Sequence, residues 1–278
     1  MSIDPSRTHA PPSLRSWSEL FGNDHPVELE IGVGKGNFLV RRAMAHPERN
    51  FFGIEWANEF YKIALDRIER RGLSNARVIR ADARQFMLDL CPRDSLLCLH
   101  IYHPDPWPKK RHNRRRLIQA PFLECAVERL LPPGHATIGG LPPTPGLPSG
   151  AAVGGRLAIQ TDHAEYFEQI RAVIAAQPRL RAVEFNDPAW LAGVPEFALR
   201  DEGGEGRGVM SGEVRGQSVE LKTDSGAAGQ QAAAGDDASH SQLCTRNSKL
   251  AFGAATNFEI KYRREGRPIY QLACVRVG

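Results

Sequence analysis

The fold turns on Val27-Glu28-Leu29-Glu30-Ile31-Gly32-Val33-Gly34-Lys35-Gly36-Asn37-Phe38-Leu39. A short apolar run, a turn with three glycines, and a helix starting near Asn37 are the pieces this stretch predicts. The glycines let the backbone come close to a ligand and take positive φ where the turn needs it. This is not the dinucleotide fingerprint G-x-G-x-x-G. The spacing is G-x-G-x-G, and Asn37 stands where the last glycine of that pattern would be. An acid, Glu30, closes the strand just before the loop.

Outward from this unit, Asn50 to Glu55 reads as a second strand that also ends in an acid. Glu55 lies 19 residues after Gly36 (55 − 36). An acid at about that offset accepts hydrogen bonds from ribose hydroxyls in βαβ nucleotide sites. The competing reading, a surface glutamate opening the helix Glu59 to Arg71 with Gly72 as its cap, fits the strand-end placement less well. Ala76 to Ala81 is a third strand running into Asp82, which either caps the next helix or helps enclose an adenine ring.

Ser95 to Tyr102 is a fourth strand, followed by His103-Pro104-Asp105-Pro106-Trp107-Pro108-Lys109-Lys110-Arg111-His112-Asn113-Arg114-Arg115-Arg116. One carboxylate is fixed between two prolines, an aromatic follows, and six Lys or Arg fall within eight positions. In an open α/β sheet, chemistry gathers outside the carboxyl ends of the strands. An acid and an aromatic beside dense positive charge suit a purine held next to a phosphate backbone. Trp107 either stacks on a base or packs under the loop. The plain alternative is a stiff loop leading into a solvated basic face.

The chain has 278 residues, 41% apolar and 24% charged, as a packed soluble core requires. Net charge is +4, while Lys109 to Arg116 alone carries +6, leaving 4 − 6 = −2 for the rest. Basicity confined to one patch is the electrostatic footprint expected for nucleic acid. Five cysteines, Cys91, Cys98, Cys125, Cys244 and Cys274, form no C-x-x-C pair, so neither a metal site nor a disulfide framework is expected. No apolar run reaches the length of a membrane span, and the N-terminal stretch lacks a hydrophobic signal core; a cytoplasmic location is the expectation.

Residues 1–25 read as a flexible arm whose end Trp17, Leu20 and Phe21 pin, and 26–278 as a single domain. Flexible inserts are expected at about 135–154 and 203–252. Arg114 to Leu131 reads as a helix. A fifth strand, Arg156 to Gln160, leads to Asp162, which with Glu165 matches a capping box opening a helix to about Gln177. Thr256 to Tyr262 and Ile269 to Val275 read as an antiparallel hairpin. The expected architecture is therefore α/β: a doubly wound, Rossmann-like, seven-stranded and mostly parallel sheet with a C-terminal antiparallel hairpin.

The glycine loop with acids ending strands two and three resembles class I S-adenosylmethionine-dependent methyltransferases. The block HPDPWPKKRHNRRRLI, with LEIGVGKGNFL before it and GRLAIQTDHAEY and TNFE after it, resembles the bacterial tRNA (guanine-N7)-methyltransferase family. The resemblance implies methyl transfer from S-adenosyl-L-methionine to a guanine N7 in the tRNA variable loop. It implies cofactor binding by Glu30, Gly32, Gly34, Gly36, Glu55, Asp82 and Asp105, catalysis by Asp105, and tRNA contacts from Lys109, Asp162, Thr256, Asn257, Phe258 and Glu259. Asn257 departs from the family's usual Lys, which weakens one expected charge contact. The expected partner is tRNA, with no obligate protein partner, in a monomer or homodimer.

Overall fold

The computed structural model describes residue 14 and residues 16–134, 154–183, 185, 261–262 and 265–278. The elements are α1 (Trp17–Phe21), β1 (Val27–Ile31), α2 (Asn37–Ala45), β2 (Asn50–Glu55), α3 (Asn58–Arg70), β3 (Ala76–Arg80), α4 (Ala83–Asp89), β4 (Leu96–Tyr102), a 3₁₀ helix (Lys110–Arg115), α5 (Ala120–Arg129), β5 (Arg156–Thr161), α6 (Ala164–Ala175), β6 (Leu180–Val183) and β7 (Tyr270–Arg276).

The seven strands form one sheet in the order β3-β2-β1-β4-β5-β7-β6. β3 through β5 run parallel, and β7 is antiparallel to both β5 and β6. This is the doubly wound sheet that the alternating strand and helix pattern implies. The central strands are buried on both faces, as the covered position of a parallel sheet demands. One face carries α2 and α3, whose Leu39, Val40, Ala43, Tyr61, Ala64 and Ile68 pack on Phe51 and Val78. The other face carries α1, α4, α5 and α6, with Trp17, Phe86, Leu123, Tyr166 and Ile170 on Leu29, Ile54, Leu99 and Ile159. Trp17 and Phe21 of α1 are buried, with the Trp17 ring 5.1 Å from that of Phe52.

Three local expectations are corrected. β7 finds its second partner in β6 rather than in 256–262: Lys261 and Tyr262 form a helical turn. Glu265 N donates to Lys261 O, Arg267 N donates to Tyr262 O, and Gly266 sits at φ 66°. Left-handed glycine with that bonding closes a helix end, so the chain cannot continue there as a strand. The stretch 114–131 is not one helix, because Arg116 is extended at ψ 134° and α5 starts afresh with Pro in its first turn. Asp162 does not cap α6; His163 does, its ring accepting from Tyr166 N at 3.2 Å. The tracts 135–153 and 186–260 lie outside the described residues, and with them the four positions 256–259 and the strand expected across 256–260.

Candidate active site at the ends of β1 and β4

The strand order reverses between β1 and β4: from β1 the chain moves outward to β2 and β3, then returns to β4 on the other side. Loops leaving neighbouring strands at such a switch point diverge and open a crevice. Here those loops are Gly32–Gly36 after β1 and His103–Lys109 after β4. Registry keeps the strand ends level: Ile31 faces Ile54 on one side and Ile101 on the other, and Glu55 faces Arg80.

The glycine loop is tied to the second strand. Glu55 Oε2 accepts from Gly34 N at 2.8 Å, and Oε1 accepts from Ala57 N at 2.8 Å. Gly34 sits at φ 53° and Gly36 at φ 76°. A Cβ on Gly36 would come within 2.8 Å of Ala64 Cβ, so that turn packs directly on α3. Gly36 is also the N-cap of α2 and has no side chain to satisfy the helix start. Glu30 does this instead: it takes a hydrogen bond from the backbone of Leu39. Its other oxygen, Oε2, is buried with no hydrogen-bond partner among the described residues. Burial first, and then the charge of Glu55, push the Glu30 carboxyl well above its ordinary value. The two acids therefore share one site, next to the glycine loop.

Two residues earlier on the same face of β1, Glu28 has the opposite environment. Its Oε1 accepts from Arg42 and Arg49, each at 2.8 Å, and its Oε2 from His100 Nε2 at 2.8 Å. Burial opposes its charge, yet Arg42, His100 and Arg49 hold the carboxyl well below the usual range. With Nε2 donating, His100 Nδ1 accepts from the Tyr102 hydroxyl at 2.8 Å. The sequence reading singled out none of Glu28, Arg42, Arg49 and His100; a second glutamate inside a fully buried strand was the available signal.

Asp105 is solvent-exposed, and makes no hydrogen bond or ion pair with any described residue. Two prolines fix its backbone, and nothing among the described residues covers it. Its loop is clamped at both ends by residues in left-handed backbone, His103 at φ 50° and Trp107 at φ 43°. The Trp107 ring is half-buried under the Arg115 guanidinium at 4.9 Å and edge-on to His112 at 5.9 Å, which gives the packed reading of this residue.

Five of the six cations, Lys109, Lys110, Arg111, Arg114 and Arg115, are exposed. Arg116 is 0% exposed. Its Nε donates to Pro106 O at 2.7 Å, one terminal nitrogen to Gln169 Oε1 at 2.6 Å, and the other to Glu165 Oε1 at 3.1 Å. The last cation of the run therefore belongs to the scaffold under the Asp105 loop, and its position just before Leu117 and Ile118 was the only hint.

Asp82 is exposed and caps α4, its Oδ1 accepting from Gln85 N at 3.0 Å, at the same sheet edge as Glu55. Asp162 pairs with Arg267 and has Oδ1 3.7 Å from His103 Nδ1. It lies beside the Asp105 loop because His103 N donates to Gln160 O at 2.7 Å, joining the ends of β4 and β5. Among the described residues no group of His, Cys, Asp or Glu is arranged to hold a metal, and no helix is long and apolar enough to cross a membrane.

Residues 24–138 match a family described as putative methyltransferase. A tRNA (guanine-N(7)-)-methyltransferase of Vibrio vulnificus (strain YJ016) is 45% identical over 119 residues, 43% of this chain and 50% of that protein. One from Bordetella pertussis is 38% identical over 161 residues, 58% of this chain and 55% of its own length. One from Geobacter metallireducens is 42% identical over 118 residues, 42% of this chain and 56% of that protein. The chain thus spans about half the length of the curated relatives it matches. A solved 30S ribosomal A1408 methyltransferase from an uncultured bacterium aligns over 93% of this chain and 91% of its own at 11% identity and a TM-score of 0.42, too loosely to bear on the site. By these sequence matches the chain is similar, over residues 24–138, to a family of putative methyltransferases and, over about half their length, to bacterial tRNA (guanine-N(7)-)-methyltransferases.

Proposed function

We propose that the protein transfers a methyl group from S-adenosyl-L-methionine to N7 of a guanine in the variable loop of tRNA. The observation that carries this reading is the juxtaposition at the switch point: a glycine loop beside two buried acids at the ends of β1 and β2, and an acid-bearing, cation-flanked loop after β4. The similarity to curated enzymes of this name supports it.

The residues present fit the cofactor. Glu55 and Asp82 stand at the ends of β2 and β3, where a ribose and an adenine would lie, and Gly34 offers a close backbone. Glu30 presents a buried oxygen without a partner among the described residues, which suits the cationic methionine end. When bound, the cofactor supplies an electrophilic methyl on a sulfonium.

Guanine N7 has a lone pair and no proton, so the protein needs no general base to generate the nucleophile. Its tasks are placing the purine and tolerating the positive charge that spreads over it. Asp105 serves both: its carboxylate accepts from the guanine N1–H and N2–H₂ edge and stabilises the developing cation. Because Asp105 is exposed here, the incoming nucleotide itself must exclude water from it. Lys109 and its four exposed cationic neighbours take phosphates, giving affinity and orientation without base readout. Asp162, Thr256, Asn257, Phe258 and Glu259 complete the proposed tRNA contact; the last four lie outside the described residues.

The test is incubation of the full chain with unmodified tRNA and methyl-labelled cofactor, then mapping of the labelled nucleoside. N7-methylguanosine in the variable loop is expected, and Asp105→Asn should lower the rate on the order of 100-fold or more. Label on another atom, no label, or an Asp105→Asn variant of normal rate would overturn the assignment.

A further inference from the structure

The two left-handed residues around Pro104-Asp105-Pro106 pose a question of support. A non-glycine residue at positive φ is costly and persists only where its surroundings over-determine it. At Trp107 the support is the Arg115, His112 and Arg116 cluster described above. At His103 it comes from elsewhere in the sequence.

The His103 side chain is 3% exposed, and described residues reach it from three directions. Gln271 of β7 donates to Gln160 Oε1 at 3.4 Å, which turns the Gln160 amide nitrogen toward His103 Nε2, 3.3 Å away. That nitrogen must then accept, so the ring proton sits on Nδ1, on the side facing Asp162 Oδ1 at 3.7 Å. The third side is Tyr262, whose ring meets the imidazole edge-on at 5.2 Å. Arg267 ties these together: its guanidinium lies 3.9 Å over the Tyr262 ring and pairs with Asp162 Oδ2. Asp162 therefore turns one oxygen to Arg267 and the other to His103. A segment from the far end of the chain is in this way fastened against the root of the Asp105 loop.

We propose that His103 is a positioning residue for Asp105, and that Asp162, Tyr262 and Arg267 form the clamp that holds it in place. His103 acts through the backbone: its left-handed turn sets the direction in which Pro104-Asp105-Pro106 leaves β4. The clamp also joins the catalytic loop to the helical turn that contains Lys261 and Tyr262, so loop position and the placement of the C-terminal strand are coupled. The proposal rests on the methyl-transfer role of Asp105 given above.

The experiment uses the full chain with Arg267→Ala, His103→Gly, the double variant and His103→Asn. Arg267 is 43% exposed on its side chain, so its truncation leaves the fold intact. Misplacing a reacting group by about 1 Å costs roughly 100-fold in rate, so a loosened loop should lower kcat between about ten- and a hundredfold with KM for the cofactor unchanged. The double variant should be no worse than the poorer single one, because both act on one clamp. His103→Asn, which tolerates positive φ and can still accept from Gln160, should recover most of the rate. Amide hydrogen exchange in peptides covering 103–108 should quicken in Arg267→Ala and His103→Gly alike. Unchanged exchange there in Arg267→Ala, or additive kcat losses, would refute the clamp. If the wild-type chain transfers no methyl to N7, the function proposed above fails, while the exchange measurement still decides the clamp.

Discussion

Replacing Arg116 by Lys keeps the charge and removes the fork. A guanidinium offers five donors in one plane, and three of the directions are used here: Pro106 O at 2.7 Å, Gln169 Oε1 at 2.6 Å and Glu165 Oε1 at 3.1 Å. An ammonium on a shorter stem meets one of these. Hydrogen bonds to a charged group contribute about 1.5–3 kcal/mol each, so losing those to Pro106 and Gln169 sums to about 3–6 kcal/mol, of which a retained Lys contact returns about 1.5–3. Glu165 is more than half exposed and is left out of the sum, because solvent screens that pair. The net loss is about 1.5–3 kcal/mol, which lowers the melting temperature by roughly 3–12 °C for a domain of this size. Pro106 O belongs to the Asp105 loop, so turnover should fall with stability. Lys110→Ala is the contrast: Lys110 is exposed, so melting should stay put while the slope of log affinity for tRNA against log salt becomes shallower by about 0.7–0.9. Thermal melts of both variants, with tRNA titrations at three salt concentrations, read both effects. An Arg116→Lys protein that melts within about 1 °C of wild type would show that the buried contacts to the loop are not holding it.

Two further outcomes follow from the paired acids of β1. Glu30→Gln should stabilise the cofactor-free protein at pH 8: a carboxyl whose folded value is raised carries a penalty that is fully present above that value and absent below the ordinary carboxylate range. The stabilisation should therefore vanish as the melt is repeated toward pH 4, while cofactor affinity by calorimetry falls at pH 8. Glu28→Gln should do the reverse, costing about 3–5 kcal/mol in a denaturant titration at neutral pH by leaving Arg42 and Arg49 buried without their anion. In the wild type that contribution is present above the ordinary glutamate value and is lost as pH falls through the depressed folded one.

The sheet was legible because its signals are local. Ser95 to Tyr102 is apolar and bounded, Gly32 to Gly36 punctuates, and Pro178 stops the helix after β5, so β1 to β5 follow from patterning; Pro121, which opens α5, is what the single helix expected across 114–131 overlooks. β6 was not legible: Leu180–Val183 is four residues long, only Val183 is buried, and its pairing with β7 spans about ninety residues of chain. The site divides the same way. Glu30, Glu55, Asp82 and Asp105 could be named because each ends a strand. Arg116, His103 and Arg267 could not, because their importance lies in contacts: charge density reads Arg116 as surface, and nothing near Arg267 in sequence points to Asp162. Asp162 itself was read as a helix cap from an i, i+3 pattern that His163 satisfies instead.

Glu28 and Glu30 isolate the feature on which the proposed cofactor site rests. They are two residues apart on one buried face of β1, at 1% and 2% exposure, so the sheet treats them alike. What differs is supply. The protein brings Arg42, Arg49 and His100 to Glu28 and thereby stabilises a buried negative charge. At Glu30 it provides one backbone N–H and sets a second carboxylate, Glu55, close enough to oppose ionisation. A scaffold able to neutralise one glutamate completely could as well have placed an apolar residue at the next inward position, which is the less costly choice in a core. An acid retained there, with an oxygen that no described residue satisfies, is complementary to a donor that arrives from outside and carries positive charge. The ammonium and sulfonium end of the proposed cofactor has that character.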